Sequence, residues 1–118
     1  MEELLKFLKC ISDETRFKIL KIISDQKLCV CEITEVLDRS QPCISQHLKK
    51  FRELDLVIEE RREQWVYYQL NISTYQQYME LLTNVKGLSF ESLGLVELKN
   101  DLEKVQATDL CCTNKKES

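Results

Sequence analysis

The chain has 118 residues, of which 43% are hydrophobic and 31% charged, and this suits one compact domain with a charged surface. Only two glycines and one proline are present, so a mostly helical structure is expected. The net charge of −3 excludes a uniformly basic nucleic-acid-binding protein, yet residues 39–52 carry four basic side chains and no acidic one.

The N-terminal residues place acids beside lysines, and no apolar run is long enough for a signal peptide or a membrane span. We therefore expect a cytoplasmic protein with no membrane partner. Thiols stay reduced in that compartment, so the six cysteines are expected to be ligands, sensors or core residues rather than a disulfide framework.

The first third of the chain predicts three helices, because its apolar side chains recur at helical spacing. Either Ser12 or Asp13 is a candidate N-cap for the second helix. The apolar positions are Leu4, Leu5, Leu8 and Ile11 in the first helix, Phe17, Leu20 and Ile23 in the second, and Val30, Ile33, Val36 and Leu37 in the short third.

A turn, "DRSQP", separates the third helix from a longer fourth one, "CISQHLKKFREL". Ser40 is the candidate N-cap of this fourth helix, and Pro42 falls in its first turn. The stripe expected to face the core consists of Ile44, Leu48 and Phe51.

The pattern then changes to one that is typical of strands. "LVIEERREQWVYYQL" is rich in β-branched and aromatic residues and predicts a β-hairpin, although its centre lacks the usual Asn-Gly signal. "STYQQYMELLTNV" predicts a helix that Gly87 ends, and a further helix is expected at about residues 95–106. We expect one domain over residues 1–86 and a C-terminal extension with a cysteine-containing tail over residues 87–118.

A short helix, a tight turn, a longer helix and a hairpin form a winged helix-turn-helix, whose second helix enters the DNA major groove while the wing contacts the backbone or minor groove. Polar side chains at the start of the fourth helix would reach base edges or phosphates, and basic ones nearby would attract phosphate. The polar set is Ser40, Gln41, Ser45 and Gln46, and the basic set is Lys49, Arg52, Arg61 and Arg62. The alternative is an ordinary solvated surface, and His47, next to Leu48, suits a structural hydrogen bond.

Four stretches, "ISDETRFKIL", "LCVCEI", "SQPCISQHLKKFRELDLV" and "WVYYQL", together resemble the ArsR/SmtB family of winged-helix, metal-responsive repressors over about residues 4–82. The resemblance implies a homodimer joined by the first and last helices of that core. It also implies binding to double-stranded operator DNA with an inverted repeat, and release when a metal or metalloid binds. By position, the DNA-reading helix would contain Ser40, Gln41, Cys43, Ser45, Gln46 and His47, and the wing would contain Arg61 and Arg62.

The stretch "KLCVCEITEVL" contains a candidate metal site. Cys31 falls nearly opposite the apolar stripe of the third helix, where a packing cysteine is not expected, whereas Cys29 would face the stripe if it were helical. Both lie where the helix begins, so we expect the helix dipole to favour their thiolates, which select soft ions. In the family resemblance, a CVC stretch here marks repressors that respond to arsenic and antimony, or to cadmium and lead.

The spacing of the two cysteines predicts a mechanism. Residues i and i+2 of a helix point about 200° apart, so chelation of one ion requires Cys29 to lie outside the helix or the first turn to unwind. Either change would move the helix that supports the DNA-reading one. An ion that prefers this altered form weakens DNA binding by the same coupling energy.

The third ligand is open. The arsenical-repressor pattern has a third cysteine three residues after the second, where this chain has Thr34. Cys111 and Cys112 on the C-terminal tail are favoured slightly, and Cys10, from the partner chain, is the alternative. A ligand at Cys43 would compete directly with DNA. The family's zinc site on the last core helix is not expected, because "STYQQYMELLTN" has neither Asp nor His.

The leading hypothesis is a repressor without a constitutive cofactor that is relieved by arsenite or antimonite. The first alternative keeps the repressor but changes the signal to cadmium, lead, thiol oxidation or persulfidation. The second is a thiol metal carrier that does not bind DNA. An enzyme is not expected, because the chain has a single histidine and no base placed beside a nucleophile.

Overall fold

The structure is a computed structural model, and it describes residues 1–108. Its helices and strands follow the predicted order, with one strand added. They are α1 (Glu2–Ile11), α2 (Glu14–Asp25), β1 (Leu28–Cys29), α3 (Val30–Leu37), α4 (Gln41–Glu53), β2 (Val57–Arg62), β3 (Trp65–Leu70), α5 (Ile72–Thr83), a 3₁₀ turn (Val85–Gly87) and α6 (Val96–Thr108). No helix over residues 1–108 is long and apolar enough to cross a membrane.

The boundary between α1 and α2 is set by Asp13. Its side chain accepts a hydrogen bond from the backbone N–H of Arg16 at 3.0 Å, which makes Asp13 rather than Ser12 the N-cap of α2. The α2 residues that face the core are Ile19, Leu20 and Ile23. Phe17 was expected among the apolar positions of this helix, but it is 57% exposed because it lies beside that face.

The two helices of the predicted helix-turn-helix are joined by a short turn. Asp38 ends α3 in a left-handed conformation, with φ 53°, and its backbone N–H donates to the carbonyl of Thr34. Ser40 then accepts a hydrogen bond from the backbone N–H of Cys43 at 3.3 Å and caps α4, as predicted. The predicted stripe on α4, Ile44, Leu48 and Phe51, is fully buried.

The sheet has three antiparallel strands in the order β1–β3–β2. The predicted hairpin pairs Val57 with Leu70 and Arg62 with Trp65, so its loop is only two residues long. Glu63 takes the left-handed conformation that Gly or Asn usually supplies, with φ 56°. β1 was not predicted, because two residues are too few to display the alternation of a strand.

Aromatic rings join α1 to α5. The ring of Phe7 stacks on that of Tyr78, with centroids 4.6 Å apart, and meets Tyr75 edge-on at 6.3 Å. The prediction that α5 continues to Gly87 is wrong, since the α-helix ends at Thr83. Asn84 leaves the helical conformation, with φ −99° and ψ 11°, and a 3₁₀ turn follows.

Residues 1–108 divide into two compact units, Glu2–Thr83 and the residues from 84 to 108, with Met1. Among these described residues, the first unit contains the whole buried core. In the second, α6 is tied to the preceding loop by an ion pair between Lys99 and Glu91 at 2.9 Å. The domain boundary expected after residue 86 stays a prediction.

Candidate functional site

Cys29 and Cys31 lie together at the start of α3. Cys29 is the last residue of β1 and the N-cap of α3, with extended backbone angles (φ −85°, ψ 166°), so it lies outside the helix. Its sulfur is 3.6 Å from the sulfur of Cys31. Two sulfurs that are each about 2.3 Å from one ion, at a tetrahedral angle, would lie about 3.8 Å apart. The pair therefore has the separation that joint coordination requires.

Chelation was expected to require either Cys29 outside the helix or an unwound first turn. The structure has the first arrangement, because Cys29 is extended while α3 is intact from Val30. The carboxylate of Glu32 accepts the backbone N–H of Cys29 at 2.9 Å, and the hydroxyl of Thr34 donates to the carbonyl of Cys31 at 2.7 Å. These bonds hold the backbone around the thiol pair in place.

The two thiols differ in exposure. Cys31 is exposed, as predicted from its place off the apolar stripe, whereas Cys29 is buried at 8% exposure. The predicted stripe itself is partly wrong. Ile33 is fully buried, and Val30 and Leu37 pack against the core, but Val36 is 61% exposed because it lies on the other side of Ile33, at the edge of that face.

Burial also shifts the pKa of the Cys29 thiol. Desolvation is the largest effect and raises the pKa of the Cys29 thiol. The backbone N–H of Glu32, at the helix N-terminus, lowers this pKa but does not outweigh burial, and the Cys31 thiol and Glu32 carboxylate raise it further. The expectation that the helix start favours the thiolate is therefore wrong for Cys29.

The other candidate ligands lie elsewhere. Cys10 is buried at 5% exposure under a cleft of about 340 Å³ lined by Lys6, Lys9, Arg16 and Lys50, among others, and desolvation raises the pKa of its thiol. Cys43 is half-buried on α4. Within residues 1–108, no three His, Cys, Asp or Glu side chains are grouped so that they could hold a metal ion. Cys111 and Cys112 fall outside the described residues.

The predicted DNA-reading side chains divide between two sides of α4. The exposed side chains are Ser40, Gln41, Ser45, Gln46 and Lys49, with Arg39 just before the helix. Cys43 and His47 lie half-buried one turn apart, beside the fully buried Ile44 and Leu48. The exposed set forms a polar and basic surface, whereas Cys43 and His47 flank the core.

Arg16 was missed by the sequence reasoning, although it stands within the stretch "ISDETRFKIL". Its Nη1 donates to Nδ1 of His47 at 3.2 Å, and its Nε donates to the carbonyl of Cys10 at 2.6 Å. A guanidinium has no acceptor, so Nδ1 of His47 carries no proton. Burial lowers the pKa of His47, and the nearby positive charges of Arg16, Lys50 and Arg39 lower it further, while Asp13 opposes them.

The basic residues of the wing are exposed, and Arg62 makes two contacts. Its Nε donates to the Glu60 carboxylate at 3.0 Å, and its guanidinium lies 5.9 Å from the ring centroid of Tyr67. Glu60 also receives the ammonium of Lys27 at 2.6 Å. Hydrogen bonds from Lys27 and then Arg62 hold the pKa of Glu60 below its usual range.

Arg52 is held by the other carboxylate of β2. Its Nη1 donates to Glu59 at 3.0 Å, and this contact ties the C-terminal part of α4 to the wing. In the sequence, "VIEERR" shows two acidic residues followed by two basic ones, which does not identify the partners of these ion pairs.

Comparison with known proteins identifies relatives. Residues 13–59 match the family described as bacterial regulatory protein, arsR family. The arsenic resistance transcriptional regulator ArsR1 of Pseudomonas putida is 38% identical over 96 residues, which are 76% of this chain and 75% of that protein. The cadmium resistance transcriptional regulatory protein CadC of Listeria innocua is 35% identical over 81 residues, 68% of each chain.

A solved structure has the same fold. Reduced HlyU from Vibrio cholerae superposes with a TM-score of 0.59 and 31% sequence identity, over 68% of this chain and 85% of that one. The winged helix-turn-helix predicted from the order of helices and hairpin is confirmed.

Proposed function

The chain belongs to the arsR family of bacterial regulatory proteins, and from this premise we propose that it is a homodimeric repressor that releases operator DNA when trivalent arsenic or antimony binds Cys29 and Cys31. Like the other members of this family, it is a DNA-binding transcriptional regulator and not an enzyme. Such a protein works where the chromosome is, so the proposal includes a cytoplasmic location.

The exposed face of α4 supports the proposed contacts with DNA. Gln41, Ser45 and Gln46 carry donors and acceptors that suit base edges, and Lys49 supplies charge for phosphate. Arg61, Arg62 and Arg52 would add phosphate contacts from the wing and the end of α4. Cys43 and His47, which are half-buried, would act by positioning the helix rather than by touching bases.

Exposed apolar side chains on α1 and α5 support the homodimer. Leu5 on α1 is 54% exposed, and Leu81 and Leu82 on α5 are 37% and 39% exposed. The two helices are neighbours, joined by the stacked rings of Phe7 and Tyr78. A second copy of the chain would cover these leucines, and two symmetric DNA-reading helices would match an inverted repeat.

The single observation that carries the inducer proposal is the thiol pair. The sulfurs of Cys29 and Cys31 are 3.6 Å apart, and Cys31 is exposed to an arriving ligand. Trivalent arsenic is soft and bonds to thiols, and each As–S bond forms from one thiol and one As–OH group with release of one water. Neutral thiols suffice for this condensation, so the raised pKa of Cys29 does not prevent it.

The third sulfur is proposed to come from the C-terminal tail, from Cys111 or Cys112. Cys10 of a second copy is the alternative, and its thiol is buried at 5% exposure. X-ray absorption on the arsenite-bound protein, with and without Cys111 and Cys112, would count the sulfur neighbours.

The test is a mobility-shift titration of operator DNA with arsenite. We expect Cys31→Ser to bind the operator as the unmodified protein does, and to need at least about tenfold more arsenite for release, because one of the two placed sulfurs is lost. Thr34→Ser is the matched control, since Thr34 lies on the same helix and supplies no sulfur, and serine keeps the hydroxyl that donates to the carbonyl of Cys31. Release of Cys31→Ser at the unmodified midpoint would contradict the site.

A second candidate is a repressor that responds to cadmium or lead. It is favoured by the similarity to the cadmium regulator CadC and by a thiol pair that suits any soft ion. The same titration with cadmium in place of arsenite separates the two. Release by cadmium alone would favour the second candidate. Release by peroxide alone would indicate thiol oxidation as the signal, and release by an organic persulfide alone would indicate persulfidation.

The third candidate, a thiol metal carrier, predicts no operator binding under any condition. The family membership and the exposed polar face of α4 argue against it.

A further inference from the structure

One row of side chains crosses all three strands of the sheet and begins at the thiol pair. Cys29 on β1 is opposite Tyr67 on β3, and Tyr67 is opposite Glu60 on β2. Residues that are directly opposite in an antiparallel sheet point to the same face and touch. The row therefore joins Cys29 to the hairpin through cross-strand neighbours and backbone hydrogen bonds.

At the β2 end of this row, Glu60 holds Arg62, a basic side chain of the wing. Arg62 donates to Glu60 at 3.0 Å and lies over the ring of Tyr67, so both of its contacts are members of the row. Lys27, two residues before Cys29, reaches the other oxygen of Glu60 at 2.6 Å. Glu60 is thus bonded both to the segment that carries Cys29 and to the basic side chain that the wing would offer to phosphate.

We propose that Glu60 is a positioning residue that couples the thiol pair to the wing, so that a trivalent arsenical bound by Cys29 and Cys31 displaces Arg62 from its DNA-binding position. This inference rests on the proposed function and adds the path by which arsenical binding at the thiol pair reaches the wing. The thiol of Cys29 is buried at 8% exposure, so an arsenical that bonds to it must displace the atoms that cover it, and the backbone of Cys29 is paired with β3. The wing then moves with β1, in addition to any movement of α3.

The pairs involved are exposed, so their contribution to folding stability is small. The side chains of Lys27, Glu60 and Arg62 are 42%, 36% and 63% exposed. Their importance is in where they hold Arg62, and the readout must therefore be coupling between two sites rather than melting temperature.

Glu59 provides a matched control for Glu60. It is the adjacent carboxylate on β2, is 38% exposed, and makes one ion pair, with Arg52 of α4. Glu59 is opposite Tyr68 on β3, and Tyr68 is opposite Leu28 on β1, so its row does not include Cys29. Glu60→Gln and Glu59→Gln change the net charge equally, so any general gain in attraction to DNA is the same in both.

The first measurement is the coupling factor, which is the operator dissociation constant with saturating arsenite divided by that without it. We expect Glu60→Gln to lower this factor by at least about threefold and Glu59→Gln to change it by less than about twofold. Equal factors for the two variants would overturn the route. If the unmodified protein has a factor of one, the proposed function fails instead.

The second measurement needs no DNA. Trp65 is the only tryptophan in the chain, and it is opposite Arg62 in the hairpin, so its fluorescence reports on the wing. We expect arsenite to change the Trp65 emission in the unmodified protein and in Glu59→Gln, to leave it unchanged in Cys31→Ser, and to produce a smaller change in Glu60→Gln. An emission that stays constant at arsenite concentrations that release the operator would overturn the inference.

Discussion

Cys29 illustrates how one residue combines three local roles. It ends a strand, caps a helix and supplies one of two neighbouring sulfurs. The extended backbone at Cys29 is also what takes its side chain out of the helical position, about 200° from that of Cys31, and the two sulfurs lie 3.6 Å apart as a result. A regular helix over both cysteines would have separated the thiols, so the short strand is what assembles the pair.

The residue pair Arg16 and His47 predicts a pH effect on stability. The pKa of His47 is lowered in the folded protein by burial and by neighbouring positive charge, so the unfolded chain takes up the proton first. We therefore expect no effect above the unfolded pKa of about 6.5, and a loss of stability as the pH falls below it toward the folded pKa. Urea unfolding of the unmodified protein and of His47→Gln, between pH 5 and 8, measures this.

His47→Gln removes the titration and serves as the reference for every other acid-sensitive group. The difference in unfolding free energy between the two proteins should be constant above pH 7. In acid, the unmodified protein should lose stability relative to His47→Gln. A constant difference over the whole range would contradict the hydrogen bond from Arg16 to a neutral imidazole.

At the scale of elements, α4 depends on the turn that precedes it. Asp38 reverses the chain in a left-handed conformation, and Ser40 then caps the next helix. These two residues fix where α4 begins, and hence which of its side chains are exposed. The burial of Ile44 and the exposure of Gln46 both depend on that starting point.

Ser40→Ala is expected to destabilise the protein by about 1 kcal/mol, because it removes the side-chain acceptor for the backbone N–H of Cys43. Urea unfolding at a fixed protein concentration measures the change in the free energy of unfolding. Ser45→Ala, at an exposed position inside the same helix, is the control and should cost nothing. Equal stability of the two variants would mean that Ser40 is not the cap.

The sequence predicted the longer elements because their periodic patterns repeat over several turns. The stripe of Ile44, Leu48 and Phe51 is one such pattern, and it is fully buried as expected. β1, the exposure of Val36 and the raised pKa of Cys29 all depend on which elements pack nearby. No local pattern in the sequence specifies those neighbours, and for the same reason the partners of Glu60 could not be predicted.

On the scale of the whole molecule, the core of Glu2–Thr83 leaves apolar side chains uncovered on α1 and α5. Leu5, Leu81 and Leu82 are each more than a third exposed, although Phe7 and Tyr78, on the same two helices, are buried. One face of the α1 and α5 pair therefore completes the core, while the other is available for a second copy.

Leu5→Lys is expected to convert the proposed dimer to a monomer, because a charge would be buried between the copies. Light scattering after gel filtration reports the mass, and operator affinity should fall by at least about tenfold as the second half-site contact is lost. Val36→Lys is the control, since Val36 is 61% exposed on α3, away from that face. A dimer that survives Leu5→Lys but not Val36→Lys would place the interface elsewhere.

The acid-free run of residues 39–52 has a consequence for how the protein meets DNA. The chain as a whole carries −3, but Arg39, Lys49 and Lys50 are exposed at the turn and along α4. A duplex repels the acidic faces and attracts this one, so an approaching molecule experiences a torque that presents α4 first. Encounter is then oriented before any base is touched, and the association rate should fall steeply as added salt screens the field.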